Sequence, residues 1–115
     1  MNELSKKRCE ACEGIGVALT NEQIQNLKPQ LNTDWHVSTD DKKLIRSFSF
    51  KDFEETMAFV NAVAAIAQSE NHHPDLQVGY NYCHVHFMTH ALNGLSLNDF
   101  ICAAKVDKIS LQNEY

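Results

Sequence analysis

The sequence is short of basic charge and of long apolar runs, and it carries no motif for gripping phosphate or building a serine nucleophile. Each shortage excludes a class of function. Ten Lys and Arg against fifteen Asp and Glu leave a formal charge of -5 with the histidines neutral. A nucleic-acid backbone needs a basic patch to bind it, so nucleic acid is not expected as a direct ligand. No stretch approaches the ~18–20 apolar residues of a membrane span. The opening MNELSKKRCEAC is charged and lacks the apolar core of a signal peptide, which points to the cytoplasm. There is no GxSxG elbow and no glycine-rich phosphate loop. Addition or elimination of water therefore fits the chain better than hydrolysis or phosphoryl transfer.

The chain has four cysteines. Cys9 and Cys12 form a CxxC pair, while Cys83 and Cys102 stand alone in apolar surroundings. A zinc site needs two further ligands at compatible spacing, and no second CxxC exists. A redox motif of this kind usually follows a strand, which the opening segment does not supply. Reduced thiols are the expectation. One domain fits 115 residues. Residues 1–19 are expected as an irregular arm and residues 20–115 as the domain itself.

Along the chain, Thr20 and Gln23 make a capping box, and Ile24, Leu27 and Leu31 recur at helical spacing. Pro29 should end or bend that helix near Leu27. Trp35–Ser38 and Leu44–Phe50 alternate as a hairpin around the Asp40–Lys42 turn, with Trp35 a core anchor and His36 exposed. Asp52 and Glu55 cap a second helix, whose stripe is expected to be Phe53, Met57, Val60, Ala64 and Ala67, widened by Phe59, Val63 and Ile66. Its alanines suit close packing on a sheet or on a second copy. Leu76–Tyr80 and Cys83–Thr89 are expected as strands joined at Asn81–Tyr82. Alternation sets Cys83, Val85, Phe87 and Thr89 toward the core and His84, His86, Met88 and His90 on an open polar face. Ala91–Leu95 is expected as a loop. Ser96 and Asp99 form a third capping box before a final amphipathic helix ending near Ile109, which gives Asp99 a structural explanation.

The stretch Glu70–His90 holds five of the six histidines. Imidazole titrates nearest neutrality, so such a cluster is suited to moving protons. His72 and His73 precede Pro74, which forces the helix to stop there, and the unwinding allows both rings to address one cavity. Two chemistries compete. In the metal reading, His84 and His86 lie ~6.6 Å apart on one strand face and chelate an ion. No Asp or Glu falls at an obvious ligand position between Leu76 and Asn98. The metal-free reading is preferred: histidines converging on a pocket protonate a leaving oxygen and take a proton elsewhere, with Tyr80 walling the pocket or stacking on a flat heterocycle.

His72-His73-Pro74, Tyr80, Thr89-His90 and Asp99 at these spacings, with the Trp35 strand, Phe50-Lys51-Asp52-Phe53 and Gly94-Leu95-Ser96, closely resemble the pterin-4a-carbinolamine dehydratase family. The CEAC arm is similar to that of bacterial members. The resemblance implies an α+β fold in the order αββαββα, with three helices on one face of a four-stranded antiparallel sheet. It implies loss of water from 4a-hydroxytetrahydropterin to give quinonoid dihydropterin, recycling the cofactor of aromatic amino acid hydroxylases, typically phenylalanine hydroxylase. By position, His72 and His90 are the implied acid–base residues, and His73, Tyr80, Pro74 and Thr89 the implied substrate-binding ones. No metal and no cofactor is implied, and a homodimer or homotetramer is.

One departure stands out: many members carry an acidic residue four positions before the first histidine, where this chain has Gln68. A carboxylate there would orient His72 or raise its pKa. Glu70 is the nearest substitute. The alternatives are a pterin-binding protein without turnover, a stabiliser of a transcription-factor dimer as in animal members, or a histidine metal site.

Overall fold

The computed structural model describes residues 3–9 and 16–113. Helix α1 spans Asn21–Leu27 and begins at the expected box, with Gln23 N–H donating to Thr20 Oγ1 and Thr20 N–H to Gln23 Oε1. Pro29 allows no continuation as α-helix, and the chain tightens into a 3-10 turn over Lys28–Gln30. Strand β1 is His36–Val37 and β2 is Leu44–Ser49. Helix α2 covers Phe53–Glu70, β3 Asp75–Val78, β4 Tyr82–Phe87 and α3 Leu97–Asn113. The α+β order αββαββα therefore stands. All pairings are antiparallel, and the sheet runs β1-β2-β4-β3.

Several boundaries differ from expectation. The β3–β4 connection is Gly79–Asn81, and Tyr82 belongs to β4, opposite Ser49. Gly79 lies directly under the Tyr82 ring, which a Cβ at that position would force to shift. Strand β4 ends at Phe87, and His90 opens a 3-10 turn, His90–Leu92, instead of closing the strand. Helix α3 continues past Ile109 to Asn113.

The stripe on α2 is also rotated. Thr56, Phe59, Val63, Ala67 and Glu70 are the buried positions, while Phe53 is 50% exposed. Phe59 decides the rotation: its ring lies 4.5 Å from Phe48 and 5.1 Å from Phe50, both on the covered side of the sheet. Sequence periodicity put Phe53 in the stripe and Phe59 at its flank, whereas packing against β2 buries Phe59 and leaves Phe53 half exposed.

The core gathers Ile24, Trp35, Leu44, Phe59, Val85, Phe87, Phe100 and Val106 between the helices and one sheet face. Trp35 is fully buried, and its Nε1–H donates to Asp107 at 2.6 Å. Asp107 also accepts from the Asn32 N–H and from Arg46 Nη1, so its burial leaves no unmatched charge. Leu4, in a 3-10 turn over Glu3–Lys6 that packs on α3, is 2% exposed and belongs to the same core.

Candidate active site

At the end of α2 the chain leaves the helix through Asn71, whose φ of 52° is left-handed, a conformation asparagine tolerates better than most residues. The reversal sends the adjoining histidines into different surroundings. His72 is buried, and its ring stacks against Phe87 at 6.2 Å with an 8° interplanar angle. His73 is exposed, 2.8 Å from Gln68 Oε1.

His72 Nε2 lies 2.7 Å from Asp99 Oδ1. The other oxygen of Asp99 accepts the Thr89 hydroxyl at 2.8 Å and the Ser96 N–H at 2.9 Å, and Thr89 Oγ1 is 2.7 Å from Ser96 Oγ. Asp99 is fully buried, so every one of these bonds is made in a desolvated setting where polar groups must be matched. The capping reading of Asp99 is correct but incomplete: one oxygen caps α3 and the other holds His72. Sequence spacing could show the first role only, since His72 is 27 positions away in the chain.

Asp99 thus supplies the carboxylate that Gln68 was expected to lack. Gln68 engages His73, not His72. Glu70 does not replace it either. Its carboxylate accepts the Cys9 N–H at 2.8 Å and pairs with Arg8 at 3.0 Å and Lys105 at 3.7 Å. Burial pushes the Glu70 carboxyl up, but the Cys9 N–H and the two cations outweigh it and hold it below its usual range.

Thr89 is fully buried and pairs with Gly94 through Thr89 N–H to Gly94 O at 2.8 Å, closing the turn that carries His90. His90 itself is exposed, as is Tyr80 at 65%, which stacks on Phe53 with centroids 6.5 Å apart. Pro74 is half-buried beside His73. The structure therefore ties His72 to Thr89 through Asp99, with His73 and His90 adjoining those two in the chain. Tyr80 instead joins the aromatic pair at the start of α2. Two cavities, of about 560 and 390 Å³, lie elsewhere, against the N-terminal turn and α3; none of His72, His73 or His90 lines them.

On the open sheet face, His84 Nδ1 is 2.7 Å from Ser47 Oγ, its partner across the strands, and His86 sits between Ile45 and Asp75. Burial and the nearby Lys43 hold His86 below the usual imidazole range, with Asp75 opposing them. Among the described residues, no group of three His, Cys, Asp or Glu side chains is placed to hold a metal ion. Cys12 lies outside the described residues.

These residues can be set beside known proteins. Residues 17–109 match the family model described as pterin 4 alpha carbinolamine dehydratase. A Legionella pneumophila (strain Lens) protein with the provisional name pterin-4-alpha-carbinolamine dehydratase is 71% identical over 108 residues, covering 94% of this chain and 96% of its own. A Nitrosomonas eutropha protein of the same provisional name is 50% identical over 107 residues, 93% of each chain. The crystal structure of a transcriptional coactivator/pterin dehydratase from Brucella melitensis superposes with a TM-score of 0.75 at 30% identity, covering 80% of this chain and 97% of that one. By a match spanning most of its length, close relatives and a shared fold, the chain belongs to the pterin 4 alpha carbinolamine dehydratase family.

Proposed function

We propose that this protein removes water from a 4a-hydroxytetrahydropterin to give the quinonoid dihydropterin, by histidine acid–base chemistry. The observation that carries the reading is the buried His72–Asp99–Thr89 chain, next to His90 in sequence and in the same segment as His73. A carboxylate facing an imidazole nitrogen accepts its proton, so Nε2 carries the hydrogen and a neutral His72 keeps its lone pair at Nδ1. Orientation and tautomer are both set before substrate arrives.

In the dehydration the C4a–O bond breaks and the hydroxyl leaves as water after gaining a proton. A ring N–H gives up its proton, and that bonding pair becomes the new C=N bond to C4a. One proton enters and one leaves, so an acid and a base suffice. His72 and His90 fill those roles, and positioned acid–base groups contribute about 10²–10⁴-fold in rate. His73, held by Gln68, with Pro74 and Thr89 beside the catalytic pair, positions the pterin. Tyr80 offers an exposed ring for a flat heterocycle. The product serves an aromatic amino acid hydroxylase in the cytoplasm, with phenylalanine hydroxylase the proposed partner. Assembly into a homodimer or homotetramer is supported by the exposed Ala58, Ala64 and Ala65 on α2.

Stopped-flow ultraviolet absorbance of 4a-hydroxytetrahydropterin decay tests the proposal. Metal-chelated wild-type protein is expected to accelerate the decay, and His72→Ala to lose about 10²-fold or more of that acceleration. No acceleration over the spontaneous reaction refutes the enzyme and favours a binding role.

A further inference from the structure

The N-terminal arm is anchored at the back of the His72–Asp99 pair, and its anchor contains two sulfur atoms in contact. Arg8 donates to the Ser69 carbonyl at 3.1 Å and pairs with Glu70, two residues before His72. Cys9 N–H donates to Glu70, and the Cys9 thiol reaches the Asn98 carbonyl at 3.7 Å, one residue before Asp99. Cys9 Sγ stands 3.6 Å from Cys102 Sγ, three residues after Asp99 on α3. Cys9 is half-buried and Cys102 fully buried.

We propose that Cys9 and Cys102 are a thiol–disulfide pair, closed by a low-molecular-weight disulfide, which staples the arm across α3. A disulfide requires its sulfurs ~2.05 Å apart, so they must close by about 1.5 Å from their present contact. The more accessible Cys9 thiolate attacks one sulfur of the oxidant and releases one thiolate. Cys102 sulfur then attacks Cys9 in the mixed disulfide and releases the second. Two electrons pass to the oxidant, and the two protein thiol protons end on the two released thiolates. In the reduced pair hydrogen bonding to Cys9 and burial push the Cys102 thiol far up, and the burial that persists in the mixed disulfide makes the second step slow and quickened by alkali. Once Cys9 is capped, its own contribution to that shift is gone. Cys83, buried in the core with its thiol raised to about 11 by burial, sits on β4 and takes no part.

The bond would close a loop of 93 positions, the kind whose closure most restricts the unfolded chain. It also ties together the segments that carry His72 and Asp99, yet it is read without any activity. Its failure therefore leaves the dehydratase reading standing.

The test treats the reduced full chain, wild-type and Cys12→Ser, with excess oxidised glutathione, then alkylates and maps peptides by mass spectrometry. In both chains we expect a Cys9–Cys102 cross-linked peptide, with Cys83 alkylated only after unfolding. The oxidised protein should melt about 10 °C above the reduced one, an increment reversed by reductant and absent in Cys102→Ser. A Cys9–Cys12 bond in the wild type in place of the expected one overturns the proposal. So does a Cys12→Ser chain that carries glutathione on Cys9 with Cys102 free, or a cross-link that leaves the melting temperature unmoved.

Discussion

Replacing Asp99 by asparagine separates its two duties. The side chain is fully buried and meets His72 on one oxygen, and Thr89 and Ser96 on the other. An amide of the same shape can keep its oxygen toward the Thr89 hydroxyl and the Ser96 N–H, so the cap on α3 survives. Its NH2 group then faces His72 Nε2, which must become the acceptor. The proton moves to Nδ1, which in the proposed reaction must carry a lone pair. The stability cost is the weakening of charge-assisted bonds to neutral ones, about 1–2 kcal/mol, or ~5–10 °C in melting temperature. The expected activity cost is far larger, because an inverted tautomer offers a donor where the proposed reaction needs an acceptor. By analogy with a triad aspartate changed to asparagine, the rate should fall by about 10²–10⁴-fold. Asp99→Ala is a poorer probe, since three donors lose their acceptor at about 1–3 kcal/mol each and the fold itself is threatened. Stopped-flow rates give the catalytic effect, and nitrogen NMR of the labelled imidazole reports which atom bears the proton. An Asp99→Asn protein that keeps the wild-type rate, with His72 still protonated at Nε2, would refute the reasoning.

Other perturbations probe separate parts of the molecule. Gln68→Ala frees His73 without touching His72, so KM should rise several-fold while kcat holds. A fall in kcat alone would return Gln68 to the His72 dyad. Asp107→Ala strands the Trp35 indole N–H, the Asn32 N–H and the Arg46 guanidinium, and should cost about 3–5 kcal/mol in urea titration; a loss under 1 kcal/mol would mean water replaces the carboxylate. Glu70 has a folded pKa below its ordinary 4.5, so its contribution is present above that value and is lost as pH falls through the lowered one. The protection factor of the Cys9 amide should therefore fall over that acidic window in the wild type, and show no such step in Glu70→Gln, whose amide oxygen accepts the bond without titrating.

Much of this architecture was legible in the residues because the signals were local. The Thr20 box, Pro29, the Asp52 cap and the proline after His73 act within a turn or two of themselves, and each operates where expected. The alternation of β4 named its buried side correctly through Cys83, Val85, Phe87 and Thr89. The stripe of α2 was misplaced because Phe53 and Phe59 are alike in hydrophobicity, and only the rings of Phe48 and Phe50 choose between them. The end of β4 was overrun because alternation continues through Thr89 and His90, while the Thr89–Gly94 pairing that ends it is invisible to periodicity.

The sequence by itself determined which side chains were available for proton chemistry, where the helices begin, and which family pattern the histidines follow. Tertiary structure alone decided how they are wired. Asp99 serves both a helix cap and an imidazole because a carboxylate has two oxygens, and folding brings α3 against the exit of α2. Gln68 turns to His73 and leaves His72 to that carboxylate, because Asn71 reverses the chain between them. Cys9 meets Cys102 across the length of the domain only because Glu70 and Leu4 dock the arm on the same face. Contacts between residues far apart in the chain carry no local propensity, so packing is where they are decided.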